Sequence, residues 1–528
     1  MRASSLAMLL LALAAGSPSV GADRVPADVL IRGGTIYPGN APALAGDVVV
    51  TGDTLSYVGP DASQRFAART VIDARGMIVA PGFIDAHTHP DTYIRSDDPR
   101  QRLNAPWLMQ GATTLLIGVD GAGSPDVAND RAELERRGVG TNLVPYVGFG
   151  AVRTRVLQEQ GRAPTAGELD RMRALVAKGM CEGALGFSTG LFYAPQSFAT
   201  TEEVIALAKE AAARGGIYDT HQRDESSYSI GLMKSVEEVL RIGRVAGLPV
   251  HFAHIKALGE DVHGQAPRVI AAIEAARAAG QDVTADQYPW TASGTALEPA
   301  LLPRWAQDGG RAALLERLAQ QDVIGKLLPE MRGNLRRRGG AQSLLLTSAG
   351  WPWTGKTLQQ VATEWHVEPV EAALRIIRAN EEATAAASFN MTEDDIRAFM
   401  RRSWVVTSSD GSDGHPRQYA TFPMKYARYV VQEKAIDLDE FIRSSTVRTA
   451  EVFKLERRGR LEPGYFADIV VFDPVRYAPK ADYVHPQLLS QGVVAVFVNG
   501  RQAVRAGELT GEAAGRVLVH SPPPGTCP

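Results

Sequence analysis

The sequence predicts an α/β protein: a (β/α)8 barrel of the TIM type that carries a small β-sandwich and an inserted subdomain. Short apolar runs alternate with helical stretches through the middle of the chain, which is the pattern of repeated βα units. Glycine-rich strand and turn segments occupy both chain ends. The gap between Gln287 and Trp404 is far longer than a connecting helix needs, which indicates an insertion between the seventh and eighth strands.

Length and composition are those of a globular protein larger than one ordinary domain. The chain has 528 residues, of which 45% are hydrophobic and 22% charged, and its formal net charge is −3. We therefore expect no basic surface for nucleic acid or for an anionic membrane. Two cysteines, Cys181 and Cys527, are too few for a disulfide framework or a cysteine metal cluster. We expect Cys181 to be a buried structural thiol, and whether the two cysteines pair stays open.

The first residues, 1–22, have the pattern of a secretory signal peptide. Arg2 supplies the positive charge, and Leu6–Ala15 supplies an apolar run that is too short to span a bilayer. Small residues at Val20-Gly21-Ala22 suit cleavage before Asp23. We expect an exported protein, periplasmic or secreted, with no stable membrane association after signal cleavage. That compartment is oxidising, which would permit a cysteine bridge.

Both ends of the mature chain have the pattern of β-structure. The N-terminal half of the predicted sandwich spans 23–80 and the C-terminal half spans 451–512, followed by a tail at 513–528. The strand-like segments are Val29–Tyr37, Asp47–Asp53, Leu55–Gly59, Arg69–Asp73, Gly464–Pro474 and Val493–Gly500. We expect the two halves to pair beside the barrel.

The barrel is predicted over 81–450, with the insertion at 290–402. Its eight candidate strands are Ile78–Ala86, Thr113–Val119, Leu143–Phe149, Ala184–Ser188, Gly216–Thr220, Pro249–Ala253, Asp282–Gln287 and Trp404–Ser409. Helical runs between them include Ala166–Lys178, Glu202–Arg214, Val236–Ala246 and Ala266–Ala279. The insertion has helical patterns of its own at Ala312–Gln321, Leu358–Trp365, Val370–Ala379 and Glu393–Arg401. At the carboxyl rim of a barrel it would cover the active site.

Six polar residues lie at the ends of these strands: His87 and His89 after the first, Asp120 after the second, His221 after the fifth, His254 after the sixth and Asp410 after the eighth. All strands of a (β/α)8 barrel open on one face, so these residues would converge at a single mouth. His87 and His89 are also two positions apart, and side chains with that spacing share one face of an extended chain.

Imidazole and carboxylate groups are the ligand set for Zn²⁺ and similar divalent ions. We expect the six residues to hold one or two such ions, whose identity stays open. A bound ion would lower the pKa of water toward ~7 and polarise a carbonyl. Asp410 would accept the proton as general base and hand it to the leaving amine. Asp413, further into the loop, is the alternative base.

The remaining histidines are expected to have other roles. His251 lies earlier in the sixth strand than His254, so we expect it to pack in the core. His415 lies in the loop after Asp410, and the sequence leaves it open between the pocket and the surface. A surface or structural role is expected for the others, which are His263, His366, His485 and His520.

Several stretches of the chain form a recognisable set in this order. They are Pro81-Gly-Phe-Ile-Asp-Ala-His-Thr-His89, Gly186-Phe-Ser-Thr-Gly-Leu-Phe-Tyr193, Thr220-His-Gln-Arg-Asp-Glu225, Ala253-His-Ile-Lys256, Asp286-Gln-Tyr-Pro289, Ser409-Asp-Gly411, His415-Pro-Arg417 and the segment Gly459–Pro474. In these the chain resembles the metal-dependent amidohydrolase superfamily and, within it, the N-acyl-D-amino-acid deacylase (D-aminoacylase) family. The resemblance covers nearly the whole mature chain.

The resemblance implies a metal-bearing barrel with a β-sandwich and an inserted lid, which hydrolyses the amide between an acyl group and a D-amino acid. The family's metal and base positions fall on His87, His89, His221, His254 and Asp410. The positions that bind the substrate carboxylate and carbonyl fall on Tyr193, Lys256, Tyr288 and Arg417. The implied partner is a small amide with a carboxylate, for which Arg offers a planar fork and Lys a point charge.

The chain departs in three places from the family pattern and in one place from that of other amidohydrolases. The D-aminoacylases end the second strand in Gly-Asn-Cys-Gly with a metal-binding cysteine, whereas here Asp120 puts a hard oxygen in place of a soft thiolate. No lysine occurs in Gly183–Gln196, where other amidohydrolases carry a carboxylated lysine between two ions. Gln196 stands where the family tends to have glycine, and the loop between Asp410 and His415 is shorter. The number of metals and the substrate side chain therefore stay open.

Three functions remain after these observations. The leading one is an exported amidohydrolase that cleaves N-acyl-D-amino acids or D-residue-containing dipeptides. The second keeps the metal and the water but takes another linear amide, or a cyclic amide or imide. The third is a non-catalytic barrel that binds its ligand, which Asp120 in place of cysteine would permit. Metal content and activity on D-acyl, L-acyl and hydantoin-like substrates would separate them.

Overall fold

The structure is a computed structural model that describes residues 24–380 and 382–527. The predicted signal peptide lies outside the described residues. Strands from the two chain ends share one sheet, and the strands between them form two parallel sheets and one small antiparallel sheet. Within the described ranges, no helix has the length and apolar character needed to cross a membrane.

The two chain ends pair in a single nine-stranded sheet. Its N-terminal strands are Val25–Ile36, Leu44–Thr51, Thr54–Gly59, Phe66–Asp73 and Ile78–Pro81. Its C-terminal strands are Ile469–Phe472, Val493–Val498, Arg501–Arg505 and Glu508–Leu509. Antiparallel pairing of Ile78–Pro81 with Ile469–Phe472 joins the ends, and both ends contribute to one core in which Val48, Ile469 and Phe497 are buried. The β-branched residues that favour these strands therefore also form their core.

The apolar run predicted as one strand over Ile78–Ala86 serves two sheets. It divides at Gly82 into Ile78–Pro81, in the terminal sheet, and Phe83–Asp85, in a central sheet. The amide of Gly82 donates to the carbonyl of Asp468 at 2.8 Å, and a side chain at this position would meet Thr113 at 2.3 Å. Only glycine fits there. The histidine pair that follows Asp85 is thus anchored directly to the terminal sheet.

The central strands form two sheets in which every neighbouring pair is parallel. One sheet contains Phe83–Asp85, Ala112–Ile117 and Asn142–Pro145. The other contains Val147–Gly148, Gly186–Gly190, Ile217–His221, Val250–Phe252, Val283–Gln287 and Val405–Thr407. Only Tyr146 separates the sheets at one junction, and at the other Thr88 pairs with Gly411 through an isolated parallel bridge. Because parallel strands share a direction, their carboxyl ends lie along one edge of each sheet.

Helices accompany the central strands. The longer ones are Val127–Arg137, Phe149–Leu157, Ala166–Cys181, Thr201–Ala212, Leu232–Ala246, Ala266–Ala278, Glu393–Met400, Arg417–Met424 and Leu438–Ser445. The shorter ones are Ala62–Arg65, Asp91–Ile94, Ala105–Leu108 and Val447–Val452, and a π-helix spans Lys425–Gln432. In Leu232–Ala246 the helical spacing of Val236, Val239 and Ile242 puts them on one buried face.

The segment between the last two central strands has a core of its own, in which Leu301, Leu344 and Ile376 are fully buried. Its antiparallel strands are Ala292–Ala296, Leu344–Leu346 and Ala385–Phe389. Its helices are Leu297–Leu301, Gly310–Leu318, Gln321–Arg337, Leu358–Glu364 and Pro369–Ala379. The helix Glu393–Met400 instead packs on the central part, since its Phe399 shares a core with Ile273.

Cys181 and Cys527 form a disulfide, with their Cα atoms 5.6 Å apart. The prediction of a buried free thiol at Cys181 is therefore wrong. The C-terminal tail runs back along the amino ends of the central strands, where Leu518 donates to the carbonyl of Leu143 at 2.8 Å and His520 to that of Gly183 at 2.9 Å. This path brings Cys527 to the end of the helix Ala166–Cys181.

Candidate active site

The structure brings together the six residues predicted as metal ligands. Donor atoms of His87, His89 and Asp410 lie within 4.8 Å of one another, and so do those of His87, Asp120 and His254. His221 joins them through Nδ1, which is 3.0 Å from Nε2 of His254. Each side chain follows or ends a different central strand, except for the His87 and His89 pair.

Asp120 lies among the imidazoles. Its Oδ1 is 3.4 Å from Nε2 of His87 and 3.6 Å from Nε2 of His254, and its Oδ2 is 3.6 Å from Nε2 of His89. Burial acts to raise the pKa of Asp120, but His87 and His254 outweigh it and hold that pKa well below its ordinary value. Asp120 therefore presents an ionised carboxylate to the imidazoles around it.

Asp410 has two oxygens with different neighbours. Oδ1 is 3.3 Å from Nε2 of His89, and Oδ2 is 2.7 Å from Nη1 of Arg417. Burial raises the pKa of Asp410, whereas Arg417 and then His254 lower it, with a net result below the ordinary value. The carboxylate is ionised at neutral pH, with one oxygen held by Arg417 and the other directed at the metal ligands.

The pKa values of His221 and His254 are shifted in opposite directions. Burial lowers the pKa of His221 to about 3. Burial and Lys256 also act to lower the pKa of His254, but the carboxylates of Asp410, Asp120 and Glu225 raise it to about 10. Metal binding requires neutral imidazoles, so a proton would compete with a metal ion for the nitrogens of His254.

The donor set fits a divalent metal ion. Both ring nitrogens of His87 and Oδ1 of Asp120 are buried and have no hydrogen-bond partner within the described residues. A buried polar atom without a partner costs free energy, which coordination would recover. Imidazole nitrogens and carboxylate oxygens are the ligands of Zn²⁺ in catalytic sites. The six predicted ligands could therefore hold such an ion.

Three of the predicted ligands have left-handed backbone conformations. The φ angle is 54° at Asp120, 35° at His254 and 48° at Asp410, a region that disfavours side chains. Hydrogen bonds hold each one: Gln196 Nε2 donates to the Asp120 carbonyl at 2.9 Å, the His254 amide to Asp286 Oδ1 at 2.9 Å, and the Asp410 amide to the His87 carbonyl at 2.9 Å. The strained turns aim these side chains into the site.

A cavity of about 360 Å³ opens beside these ligands. The four residues predicted to bind substrate all line it: Tyr193, Lys256, Tyr288 and Arg417. The inserted segment supplies part of the cavity wall through Gly294, Thr295 and Arg338. The volume is that of a small-molecule pocket.

Two of the substrate-binding candidates already have anionic partners. Nζ of Lys256 donates to Oε1 of Glu225 at 2.7 Å. Arg417 forms an ion pair with Asp410, in which Nη1 lies 2.7 Å from Oδ2. The hydroxyl of Tyr288 is buried and has no partner in the described part of the chain. The two cations lie 5.6 Å (Lys256) and 4.9 Å (Arg417) from the centroid of the Tyr288 ring. A hydroxyl without a partner, on a ring that has two cations near it, is suited to a carboxylate.

Several residues of the site were not predicted from the sequence. Glu225 contacts Lys256 and lies 3.3 Å from Nδ1 of His254, and its i+4 spacing from His221 is a signal that was available. Gln196, noted only as a departure from the family, holds Asp120. Arg338 follows a helix that the sequence pattern did not reveal.

Two further histidines and the alternative base lie outside the six predicted ligands. His251 is buried, as predicted, and bonds to Thr284 Oγ1 at 2.8 Å and Asp286 Oδ2 at 2.9 Å. His415, left open between pocket and surface, is buried behind the cavity wall, where its Nδ1 accepts from the amide of Arg417 at 3.1 Å. Asp413, the alternative base, is exposed.

Comparison with known families defines the class of protein. The family model described as the amidohydrolase family matches residues 70–504. This range is most of the chain, and the chain belongs to the amidohydrolase family. The membership that the sequence motifs predicted is confirmed.

Within the amidohydrolase family, the chain is similar to D-aminoacylase and to deacylases of N-acyl-D-amino acids. D-aminoacylase of Alcaligenes xylosoxydans xylosoxydans is 33% identical over 94% of this chain and 99% of its own length. N-acyl-D-aspartate deacylase of the same organism is 32% identical over 93% of this chain and 95% of its own length. The solved structure of N-acyl-D-glutamate deacylase from Bordetella bronchiseptica, complexed with zinc and a phosphonate that mimics the tetrahedral intermediate, has a TM-score of 0.78. It is 28% identical and covers 94% of this chain and 100% of that one.

Proposed function

We propose that the protein is a metal-dependent amidohydrolase that cleaves the amide bond of N-acyl-D-amino acids or of D-residue-containing dipeptides. The observation that carries the proposal is the convergence of four imidazoles and two carboxylates beside a cavity that contains Lys256, Tyr288 and Arg417. The similarity to D-aminoacylase and to deacylases of N-acyl-D-aspartate and N-acyl-D-glutamate supports the substrate class.

The residues that would hold one or two divalent ions, Zn²⁺ by preference, are His87, His89, Asp120, His221, His254 and Asp410. When bound, such an ion lowers the pKa of water to ~7 and polarises a carbonyl oxygen. The protein supplies fixed ligand positions, because the turns at Asp120, His254 and Asp410 are each held by a hydrogen bond.

Asp410 is the general base in this proposal. Its pKa is held below the ordinary value, so the carboxylate is ready to accept a proton at neutral pH. Because Arg417 occupies Oδ2, Oδ1 is the oxygen that takes the proton from the attacking water. The same oxygen then delivers the proton to the leaving amine nitrogen of the D-amino acid.

The substrate carboxylate would bind at the Tyr288 hydroxyl, where the charges of Lys256 and Arg417 lie near the Tyr288 ring. Tyr193 also lines the cavity and is suited to the scissile carbonyl, because its hydroxyl has one hydrogen-bond partner in the described structure, Thr295 Oγ1 at 3.4 Å. This placement holds the amide beside Asp410 and excludes substrates that lack the carboxylate.

The proposal is tested with Asp410→Asn and with Asp413→Asn as its matched control. We expect Asp410→Asn to lower kcat on N-acetyl-D-leucine by roughly 10²- to 10⁴-fold while elemental analysis finds the metal retained. Asp413→Asn should keep the wild-type rate, because that carboxylate is exposed. Near-wild-type turnover by Asp410→Asn would remove it as the base.

Removal of the metal by a chelator should abolish turnover, and Zn²⁺, Co²⁺ or Mn²⁺ should restore it. A panel of D-acyl amino acids, L-acyl amino acids and hydantoins then distinguishes linear D-amides from other amides. Turnover of hydantoins alone would favour the cyclic-amide alternative. A metal-free protein that gains no activity with any ion would favour a non-catalytic binding protein.

We further propose that the two central sheets are arcs of one (β/α)8 barrel, with the terminal sheet as a flanking β-sandwich and the inserted segment as a lid. The parallel bridge between Thr88 and Gly411 supports closure at one junction. We also propose export, which the Cys181–Cys527 disulfide supports because disulfides persist in oxidising compartments. Fractionation of the native host should find the mature protein beginning at Asp23 outside the cytoplasm; a retained N-terminus in the cytoplasm would contradict this.

A further inference from the structure

Arg338 is a buried cation in the cavity wall. It follows the inserted helix Gln321–Arg337 and lines the same cavity as the predicted metal ligands. Only 2% of its surface is exposed. Its Nε donates to the Tyr228 hydroxyl at 2.6 Å and its Nη1 to Ser293 Oγ at 3.2 Å. Both acceptors are neutral, so they satisfy hydrogen bonds without balancing the charge.

The charge of Arg338 has no counterpart in the described structure. The other two cations of the cavity are paired with Glu225 and Asp410, each at 2.7 Å. Arg338 forms no ion pair with any carboxylate in residues 24–380 or 382–527, although the preceding Arg336 does, with Asp261 at 2.7 Å. A buried charge without a partner is costly, which points to an anionic group that arrives with the ligand.

A second arginine adds to the positive charge at this end of the cavity. The guanidinium of Arg304 lies 3.9 Å from the centroid of the Phe192 ring, which also lines the cavity, and donates to the carbonyl of Pro299 at 3.0 Å. Burial lowers the pKa of Arg304 to about 10, and Arg338 contributes to that shift. The nearby carboxylate of Asp224 is engaged by backbone amides, those of Ser226, Tyr228, Ser229 and Gly231.

We propose that Arg338 binds a second carboxylate of the substrate, in addition to the α-carboxylate, and so selects N-acyl-D-amino acids that carry two negative charges. This inference rests on the proposed function and names its substrate class. The planar guanidinium suits a carboxylate because it offers parallel donors in a fixed geometry. The second carboxylate comes either from an acidic D-side chain or from a dicarboxylic acyl group, and the two sources are chemically equivalent at Arg338.

The experiment compares acids with their neutral amides on the metal-loaded protein. N-acetyl-D-glutamate against N-acetyl-D-glutamine tests the side chain, and N-succinyl-D-leucine against its terminal amide tests the acyl group. We expect one acid to exceed its amide in kcat/KM by about 10- to 100-fold, the range of a charge-assisted hydrogen bond. Arg338→Met should bring that ratio close to one, and Arg338→Lys should leave an intermediate ratio because it keeps the charge but not the fork.

Arg336→Met is the matched control, since Arg336 is exposed and outside the cavity, and its acid-to-amide ratio should equal that of the wild type. Metal content and thermal midpoint establish that each variant is folded. Equal rates on acid and amide in both pairs, or a full preference that survives in Arg338→Met, would overturn the inference. If no acyl-D-amino acid is hydrolysed, the proposed function fails by itself. Calorimetric binding of the same pairs to wild type and Arg338→Met then decides the role of Arg338.

Discussion

Gln196 shows how a single side chain outside the ligand set shapes the candidate metal centre. Its Nε2 donates to the carbonyl of Asp120 at 2.9 Å, and its Oε1 accepts from the amide of Gly190 at 2.7 Å. These bonds tie the turn after one strand to the end of another. They hold Asp120 at φ 54°, where its carboxylate lies among the imidazoles.

We expect Gln196→Ala to weaken Zn²⁺ binding by about 10- to 100-fold, the usual effect of removing a group that orients a ligand. Competition against a chromogenic chelator measures this affinity. Gln196→Glu keeps the acceptor for Gly190 but loses the donor to Asp120, so it should give an intermediate value. Gln359→Ala, in an exposed position of the inserted segment, is the control. Wild-type affinity in Gln196→Ala would show that the turn at Asp120 holds without it.

At this scale the sequence indicates which polar residues gather at the candidate site better than it indicates the residues that support them. Each of the six predicted ligands combines a metal-binding residue type with the end of a strand, so two patterns coincide at one position. Supporting contacts have no such pattern: Gln196 lies 76 positions from Asp120, and Lys256 lies 31 from Glu225. Contacts of that separation leave no periodicity in a single sequence.

At the scale of elements, the π-helix Lys425–Gln432 places inside the protein a lysine that forms no ion pair in the described structure. Lys425 begins the π-helix Lys425–Gln432 and is buried, with Nζ donating to Thr407 Oγ1 at 2.8 Å and to Ser444 Oγ at 3.1 Å. Burial lowers the pKa of Lys425 from 10.5 to about 7, with Glu440 opposing the shift and Arg448 adding to it. Near neutral pH the Lys425 amine of the folded protein is therefore divided between its protonated and neutral forms.

Stability should consequently rise with pH through this lysine. Between about 7 and 10.5 the unfolded chain binds a proton at Lys425 that the folded chain does not, so the free energy of unfolding increases by up to ~1.4 kcal/mol per pH unit. This contribution is lost as the pH falls to about 7. Thermal midpoints of wild type and Lys425→Met across this range measure it: the wild type should gain on the variant as pH rises. Lys434→Met, at an exposed position, should track the wild type; parallel curves for Lys425→Met would contradict the shift.

The bounds of helices and strands were predictable where an apolar pattern belongs to a single element. They were not predictable where one apolar run passes from one sheet to another. The strand Gly186–Gly190 and the helix Ala266–Ala278 lie within a few residues of the predicted segments. The division at Gly82 was missed because both of its halves are apolar. The helix Gln321–Arg337 was missed because Pro329 lies inside it and interrupts the pattern that marks a helix.

At the scale of the whole molecule, the disulfide fastens the last residues to the middle of the chain. Cys527 is bonded to Cys181 across a sequence separation of 346. The C-terminal tail that leads to Cys527 donates backbone hydrogen bonds to Leu143 and Gly183. The bond lies at the amino ends of the central strands, away from the predicted metal ligands at the carboxyl ends. Spacing could not reveal the pairing, because two cysteines carry no framework pattern.

We expect Cys527→Ser to lower the free energy of unfolding by about 2–4 kcal/mol, because the cross-link no longer restricts the unfolded chain. Differential scanning calorimetry measures the lower midpoint, while turnover at 25 °C should be unchanged. A reductant should lower the wild-type midpoint in the same way and have no effect on the Cys181→Ser/Cys527→Ser protein. Equal midpoints with and without the bond, or a parallel loss of turnover, would contradict this expectation.

The inserted segment has consequences for how such a protein diversifies. Its hydrophobic core, around Leu301, Leu344 and Ile376, is distinct from the core of the strands that carry the predicted metal ligands. Its Arg338 nevertheless lines the cavity where the substrate would bind. Heritable change in this segment can therefore alter which molecules are accepted while the reactive machinery is transmitted intact. Exchanging the inserted segment between relatives is therefore the direct laboratory route to a new selectivity.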